Sequence, residues 1–155
     1  GGGITLVAFF RKEGIMAEFT AALLQTVAVG QNVQFTETAV SGSNCIIHRP
    51  GSGIATLRGI TNQCRALYKV TFGANIAIPT GGTVGEISLA IAVGGEPLAS
   101  ATMIETPAAV EEFANVFSAA LVSVPRGCCV NVAVENTSDI PVNVQNANLI
   151  VERVA

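Results

Sequence analysis

The chain is 155 residues long, half of them hydrophobic and only 12% charged, with a net charge of −3 and a mean hydropathy of +0.54. That length suits one domain, but ordinary soluble domains carry about 25% charged residues, so something beyond one chain's core must absorb the apolar excess. The eight Lys and Arg are scattered singly apart from Arg11-Lys12, which excludes an electrostatic footprint for nucleic acid. No run of about 18 apolar residues offers a spanning helix, and the outward faces that a membrane barrel would fill with large residues are mostly Ala, Ser and Thr. Burial between identical subunits is the better account.

In chain order, residues 1–18 read as an N-terminal extension or an added strand, with Ile4–Phe10 as its apolar centre. ITLVAFF resembles the centre of a signal peptide, yet no positive region precedes it and no small-residue cleavage site follows. Residues 19–155 form the domain, as short strands at regular spacing with turn signals between them. Leu23–Val29 ends at Gly30, and Asn32–Thr36 carries Val33 and Phe35 on one face. Cys45–His48 closes at Arg49-Pro50-Gly51-Ser52-Gly53, and Ile54–Ile60 at Thr61-Asn62.

Residues 65–93 are the centre of the pattern, two long strands joined by a Pro/Gly connection. Ala66, Tyr68, Val70 and Phe72 alternate with Arg65, Leu67, Lys69 and Thr71, which gives a core side and a wetter side. Ile87, Leu89, Ile91 and Val93 alternate with Ser88, Ala90 and Ala92. A strand without charge on either face is expected to be covered on both.

Gly94-Gly95 precedes a strand over Pro97–Ile104. Thr106-Pro107 followed by Glu111-Glu112 has the cap, proline and early acids of a helix start, so a single helical turn is expected at 107–112, then a strand over Asn115–Val124. Pro125-Arg126-Gly127 introduces Cys128–Val134, in which Cys128, Val130, Val132 and Val134 alternate with Cys129, Asn131, Ala133 and Glu135. In Pro141–Val154 the apolar phase shifts between Val144 and Ala147, which predicts a bulge or tight turn at Gln145-Asn146. Nine or ten such strands mean an all-β sandwich or jelly roll.

The order of the pieces carries a resemblance. A strand pair near 20–36 precedes Arg49-Pro50-Gly51, then CRALYKVTF over 64–72, an apolar strand ending in GGEPL at 94–98, a strand entering Val124-Pro125-Arg126-Gly127, and ANLIVERV at 147–154. This resembles the tumour-necrosis-factor/complement globular-head superfamily. It is most similar to the bacterial and phage branch, which includes the C-terminal domain of the collagen-like exosporium glycoprotein and small phage particle proteins. Ala66-Leu67-Tyr68 stands where that family usually has a glycine before the tyrosine. The resemblance implies a ten-stranded jelly roll assembling as a homotrimer. No Gly-X-Y repeat precedes the domain in this sequence, which favours a phage setting over a spore coat.

Candidate sites are sparse. Cys45 and His48 have the spacing of two zinc ligands without a second pair, and Cys45–Cys64 is a candidate bridge. Calcium occurs in some proteins the chain resembles, but Glu111-Glu112 and an isolated Asp139 make a poor oxygen cage. One histidine must serve any nucleophilic triad. Glu86, Glu96, Glu105 and Glu135 are the carboxylates available for glycosidase chemistry, and solvated strand ends explain them more cheaply. Gly51-Ser52-Gly53 and Gly81-Gly82 lack the Lys and helix of a phosphate loop. Asn136-Thr137-Ser138 matches a glycosylation triplet. For a lectin-type site Tyr68 is the lone tyrosine, on a core-facing parity, and the amide-rich turns at Asn62-Gln63, Asn136 and Asn143–Asn148 are the remaining sugar contacts.

No catalytic, cofactor or metal residue is therefore assigned, and the chain is not expected to be an enzyme. The expectation is a structural homotrimer on a virion surface, as capsid decoration or fibre head, or on an extracellular or spore surface. Its partners would be other capsid or surface proteins, with a receptor- or glycan-binding tip as the alternative.

Overall fold

The computed structural model describes residues 16–40, 46–48, 51–58, 65–125 and 129–154. The described chain consists of strands and turns: β1 Met16–Ala21, β2 Gln25–Val27, β3 Glu37–Val40, β4 Ile46–His48, β5 Ala55–Arg58, β6 Arg65–Ala77, β7 Ile87–Val93, β8 Glu96–Glu105, β9 Ala114–Pro125, β10 Cys129–Asn136 and β11 Val142–Arg153. The pairings among them are antiparallel and fall into two sheets. One runs β3-β1-β11-β6-β9 with β2 also on β11, and the other β4-β5-β10-β7-β8. β1 and β2 lie end to end along the same side of β11, on residues 147–152 and 142–144 respectively. The eleven described strands thus fill the ten places of a jelly roll, five in each sheet.

The core lies between the sheets and follows the period-2 pattern. Ala66, Tyr68, Val70 and Phe72 of β6 are fully buried, as are Ile87, Leu89 and Ile91 of β7. Phe35 meets Phe72 edge-on at 6.3 Å between ring centroids, a geometry that aromatic quadrupoles favour. β6 runs well past Phe72. Gly73 lies within the strand opposite Asn148, whose Oδ1 would lie only 3.2 Å from a β-carbon there.

The bulge expected in β11 is present. Its pairing with β6 shifts register between Gln145 and Asn148, and Asn146 takes a φ of 55°. Both phases of the strand are thereby buried: Val142 and Val144 before the bulge, Ala147, Leu149 and Val151 after it. The bulge has a second effect. Asn146 N–H donates to Ala22 O, so the extra residue faces the bend at 22–24. That bend separates β1 from β2 and turns Leu23 and Leu24 outward. A continuous Leu23–Val29 strand is therefore not formed, and β2 is three residues long. Asn115, Asn75 and Asn146 form an amide ladder across β9, β6 and the bulge, at 3.2 and 3.3 Å.

Two other expectations are corrected. Val33 and Phe35 are buried on one face as expected, but Asn32–Thr36 makes only an isolated bridge, Asn32 to Glu135. Its amides serve separate partners, Val33 donating to Val134 O and Phe35 to Ser52 O. Residues 107–112 form a turn rather than a helical turn. Glu111 has a φ of 59°, and its N–H donates to Ile78 O at 2.8 Å instead of to its own turn. The following strand starts at Ala114, one residue before its expected position.

β7 is buried on both faces: Ser88, Ala90 and Ala92 are covered as well as the core side. The small-residue face that the composition assigned to sister subunits is thus already closed within one chain.

Candidate functional site

His48, at the end of β4, is half-buried. Its ring lies 4.4 Å from that of Phe19, centroid to centroid, and its Nε2 is 2.9 Å from Ser52 O. These contacts tie the 51–53 turn to the domain. Cys45, Cys64 and Cys128 lie outside the described residues, so the Cys45–Cys64 pairing and the Cys45-x-x-His48 spacing do too. Among the described residues no three His, Cys, Asp or Glu side chains come together. Glu111 accepts a hydrogen bond from Thr80, and Glu112 and Asp139 are exposed.

Asn136 is 1% exposed, and the triplet it opens is structural. Its Nδ2 donates to Val27 O and to Ile140 O, each at 3.0 Å. Its Oδ1 accepts from Ser138 N at 2.9 Å and from Ser138 Oγ at 2.5 Å. Ser138 Oγ also accepts from Ser88 N at 3.1 Å, which completes a buried network joining β7 to the β10–β11 turn, and Ser88 Oγ lies 2.7 Å from the Oγ1 of exposed Thr137. Both amide hydrogens of Asn136 are committed to carbonyls, so the side chain has no free face for a glycan. Among the described residues no buried side-chain polar atom lacks a partner. Tyr68 is fully buried with its hydroxyl donating to Arg58 O at 2.8 Å, and it offers no surface for a sugar ring.

The four carboxylates do not converge. Glu96 and Glu105 occupy opposite ends of β8, and Glu86 precedes β7 at the end where Ile87 pairs with Glu105, so at most two of the four are neighbours. Glu135 alone of the four lines the groove described next.

Two surfaces remain, one on the outer face of each sheet. On the six-stranded sheet the cross-strand rows read Thr20–Asn148–Gly73–Phe117, Glu18–Ile150–Thr71–Ala119 and Met16–Glu152–Lys69–Leu121. Phe117 is 67% exposed and Leu121 64%, both on the edge strand β9. Phe117 stands opposite Gly73, which offers no side chain to cover the ring. Ile150 and Leu67 are half-buried nearby on the same face. This is a greasy strip on an open sheet, a feature that marks interaction surfaces. The sequence did not single it out, because Asn115–Val124 is apolar on both parities.

On the five-stranded sheet a groove of about 290 Å³ is lined by residues including Asn32, Ile54, Ala92, Asn131, Ala133 and Glu135. Its plan follows from strand register. Asn131 pairs with Thr56 on one side and its carbonyl accepts from Gly94 N–H on the other. Ala133 pairs with Ala92, and Glu135 with Ala90 and, across the isolated bridge, with Asn32. The wall at one end is the Gly94-Gly95 hairpin, both residues having positive φ as a tight two-residue turn of this kind requires.

Comparison with protein-family profiles and with curated proteins gives no match. Solved structures do match. The globular domain of the zebrafish complement 1qA protein superposes with a TM-score of 0.65 at 12% identity, over 92% of this chain and 98% of that one. The Eiger tumour necrosis factor of S. frugiperda gives 0.68 at 14% identity, over 91% and 92%. Murine APRIL gives 0.61 at 9% identity, over 88% and 97%. The chain therefore has the jelly-roll fold of the tumour-necrosis-factor and complement globular domains, at identities that speak for fold alone.

Proposed function

We propose that the protein is a non-enzymatic structural module that works as a homotrimer on the surface of a particle. The observation that carries this reading is the exposed strip of Phe117 and Leu121 on β9, with half-buried Leu67 on the adjacent strand β6 and Ile150 one strand further in on the same face. A chain with half its residues hydrophobic has buried its β7 faces alone and left this face open. Burying it between copies removes large apolar side chains from water, the main driving force of obligate assembly. The resemblance of the strand order to trimeric jelly rolls supports three as the copy number. Light scattering coupled to size exclusion tests the assembly, with a mass three times the 15.8 kDa of one chain expected.

The setting proposed is a phage virion, as capsid decoration or fibre head, with a spore or cell surface as the neighbouring case. Antibody labelling of purified phage particles and of spores separates the two. A second reading, a receptor-binding tip, is favoured by the β1–β2 bend, where Leu23 is 84% exposed beside exposed Leu24. An apolar pair thrust out at a strand connection suits a contact with another protein better than it suits a passive scaffold.

A further inference from the structure

We propose that residues 4–10 of one copy, ITLVAFF, add as a strand to the open edge of β9 in the next copy. Such an exchange rests on the homotrimer reading and names what covers the strip of Phe117 and Leu121. Among the described residues β9 pairs with β6 alone, so its other edge carries no partner strand. Exposed edges are usually blunted by a charge, a proline or a bulge. β9 uses none of these along its length. Residues 114–124 are uncharged, Pro125 is the last residue of the strand, and the register with β6 runs unbroken from the Ile76–Ala114 pair to the Arg65–Pro125 pair.

The surroundings of Met16 leave the preceding residues few partners on their own domain. Met16 pairs with Glu152, and β11 ends one residue later at Arg153. On the other side the pairing of β1 with β3 stops at Glu18 and Val40. A chain continuing upstream along β1 therefore runs past the end of its own sheet. Residues 11–15, RKEGI, are a mostly polar connector that spans at most about 17 Å. Turned back across its own sheet, the connector would follow the row Met16–Glu152–Lys69–Leu121, about 14 Å for three strand spacings. That path sets Glu13 near Glu152 and Arg11-Lys12 near Lys69, like charge against like, so the neighbour's β9 is the better seat.

The two partners match in chemistry. ITLVAFF has no charge, no Gly and no Pro, and it is rich in the β-branched and aromatic residues that suit strands. Ile4, Leu6, Ala8 and Phe10 share one parity, and Thr5, Val7 and Phe9 the other. In either phase an aromatic ring comes to lie beside Phe117 and Leu121 on the outer face. Strand addition draws affinity from main-chain hydrogen bonds and specificity from alternate side chains, and β9 offers both along its open side.

The test places a photoreactive benzophenone amino acid at position 9 of the full chain. Ultraviolet irradiation, a denaturing gel and peptide mass spectrometry then read the contact. Products of two and three chains are expected, joined at a peptide from residues 114–125. A linkage confined to one chain, a linkage elsewhere or no linkage overturns the proposal. Hydrogen–deuterium exchange gives an independent readout. Val7→Pro removes a ladder donor and should speed exchange across β9 about tenfold. Leu6→Asp carries the same expectation, should the proline variant fail to fold. Exchange that stays at the wild-type rate overturns the proposal as well. A light-scattering mass of three chains without the β9 linkage keeps the trimer and defeats the strand exchange, whereas a mass of one chain defeats both.

Discussion

Replacing Phe117 by Glu is the sharpest perturbation of the proposed assembly. The ring is 67% exposed, on an edge strand, opposite a glycine. A phenylalanine offers roughly 200 Å² of surface to burial, so about 130 Å² is available to a neighbouring copy. At about 25 cal/mol per Å² this is worth about 3 kcal/mol per subunit and about 10 kcal/mol for a closed ring of three. Phe117→Ala forfeits most of that, while Phe117→Glu also forces an unpaired carboxylate into the contact. In light scattering at micromolar concentration the Glu variant is expected to have the mass of one chain, with the far-UV circular dichroism of the wild type. The fold should survive because Phe117 takes no part in the inter-sheet cluster. A Phe117→Glu variant that still has the mass of the wild-type assembly would refute the reasoning, since no interface could then be using this strip.

Four further outcomes follow, three of them on stability. Asn136→Ala strips partners from two buried carbonyls and the Ser138 amide, and should cost about 3 kcal/mol, read as a fall in melting temperature of roughly 6–12 °C. In a secretory host the wild-type protein should carry no glycan on Asn136, as intact mass would show. Asn146→Val places a β-branched residue at positive φ and should lose about 1–2 kcal/mol in urea titration, more than Asn146→Gly loses. Tyr68→Phe removes one hydroxyl bond to Arg58 O and should lose about 1 kcal/mol in the same titration.

Where side chains alternated by chemistry, the fold was legible. Tyr68 and Phe72 against Lys69 and Thr71 identify the inner side of β6 without coordinates, and the phase change from Val144 to Ala147 marks the bulge. Local signals failed where a distant partner took the hydrogen bond. The Thr106-Pro107 helix start is overridden because Glu111 N–H is captured by Ile78 O. The Leu23–Val29 run is broken because Asn146 intrudes opposite it, and nothing near residue 23 records an event at residue 146. The β9 strip was hidden for a different reason. Val116, Val122 and Val124 on one parity and Phe117 and Leu121 on the other are equally apolar, and only the pairing with β6 decides which side faces out. Half of the groove was visible, since Asn131, Ala133 and Glu135 share a parity in the sequence. Its other half comes from β5, β7 and residue 32, brought alongside by register.

Sedimentation equilibrium of the unmodified chain over a wide concentration range bears most directly on the idea that sister copies cover Phe117 and Leu121. A single species of three chains that persists on dilution is the expected result. A species of one chain, stable and soluble with that strip open to water, would contradict it.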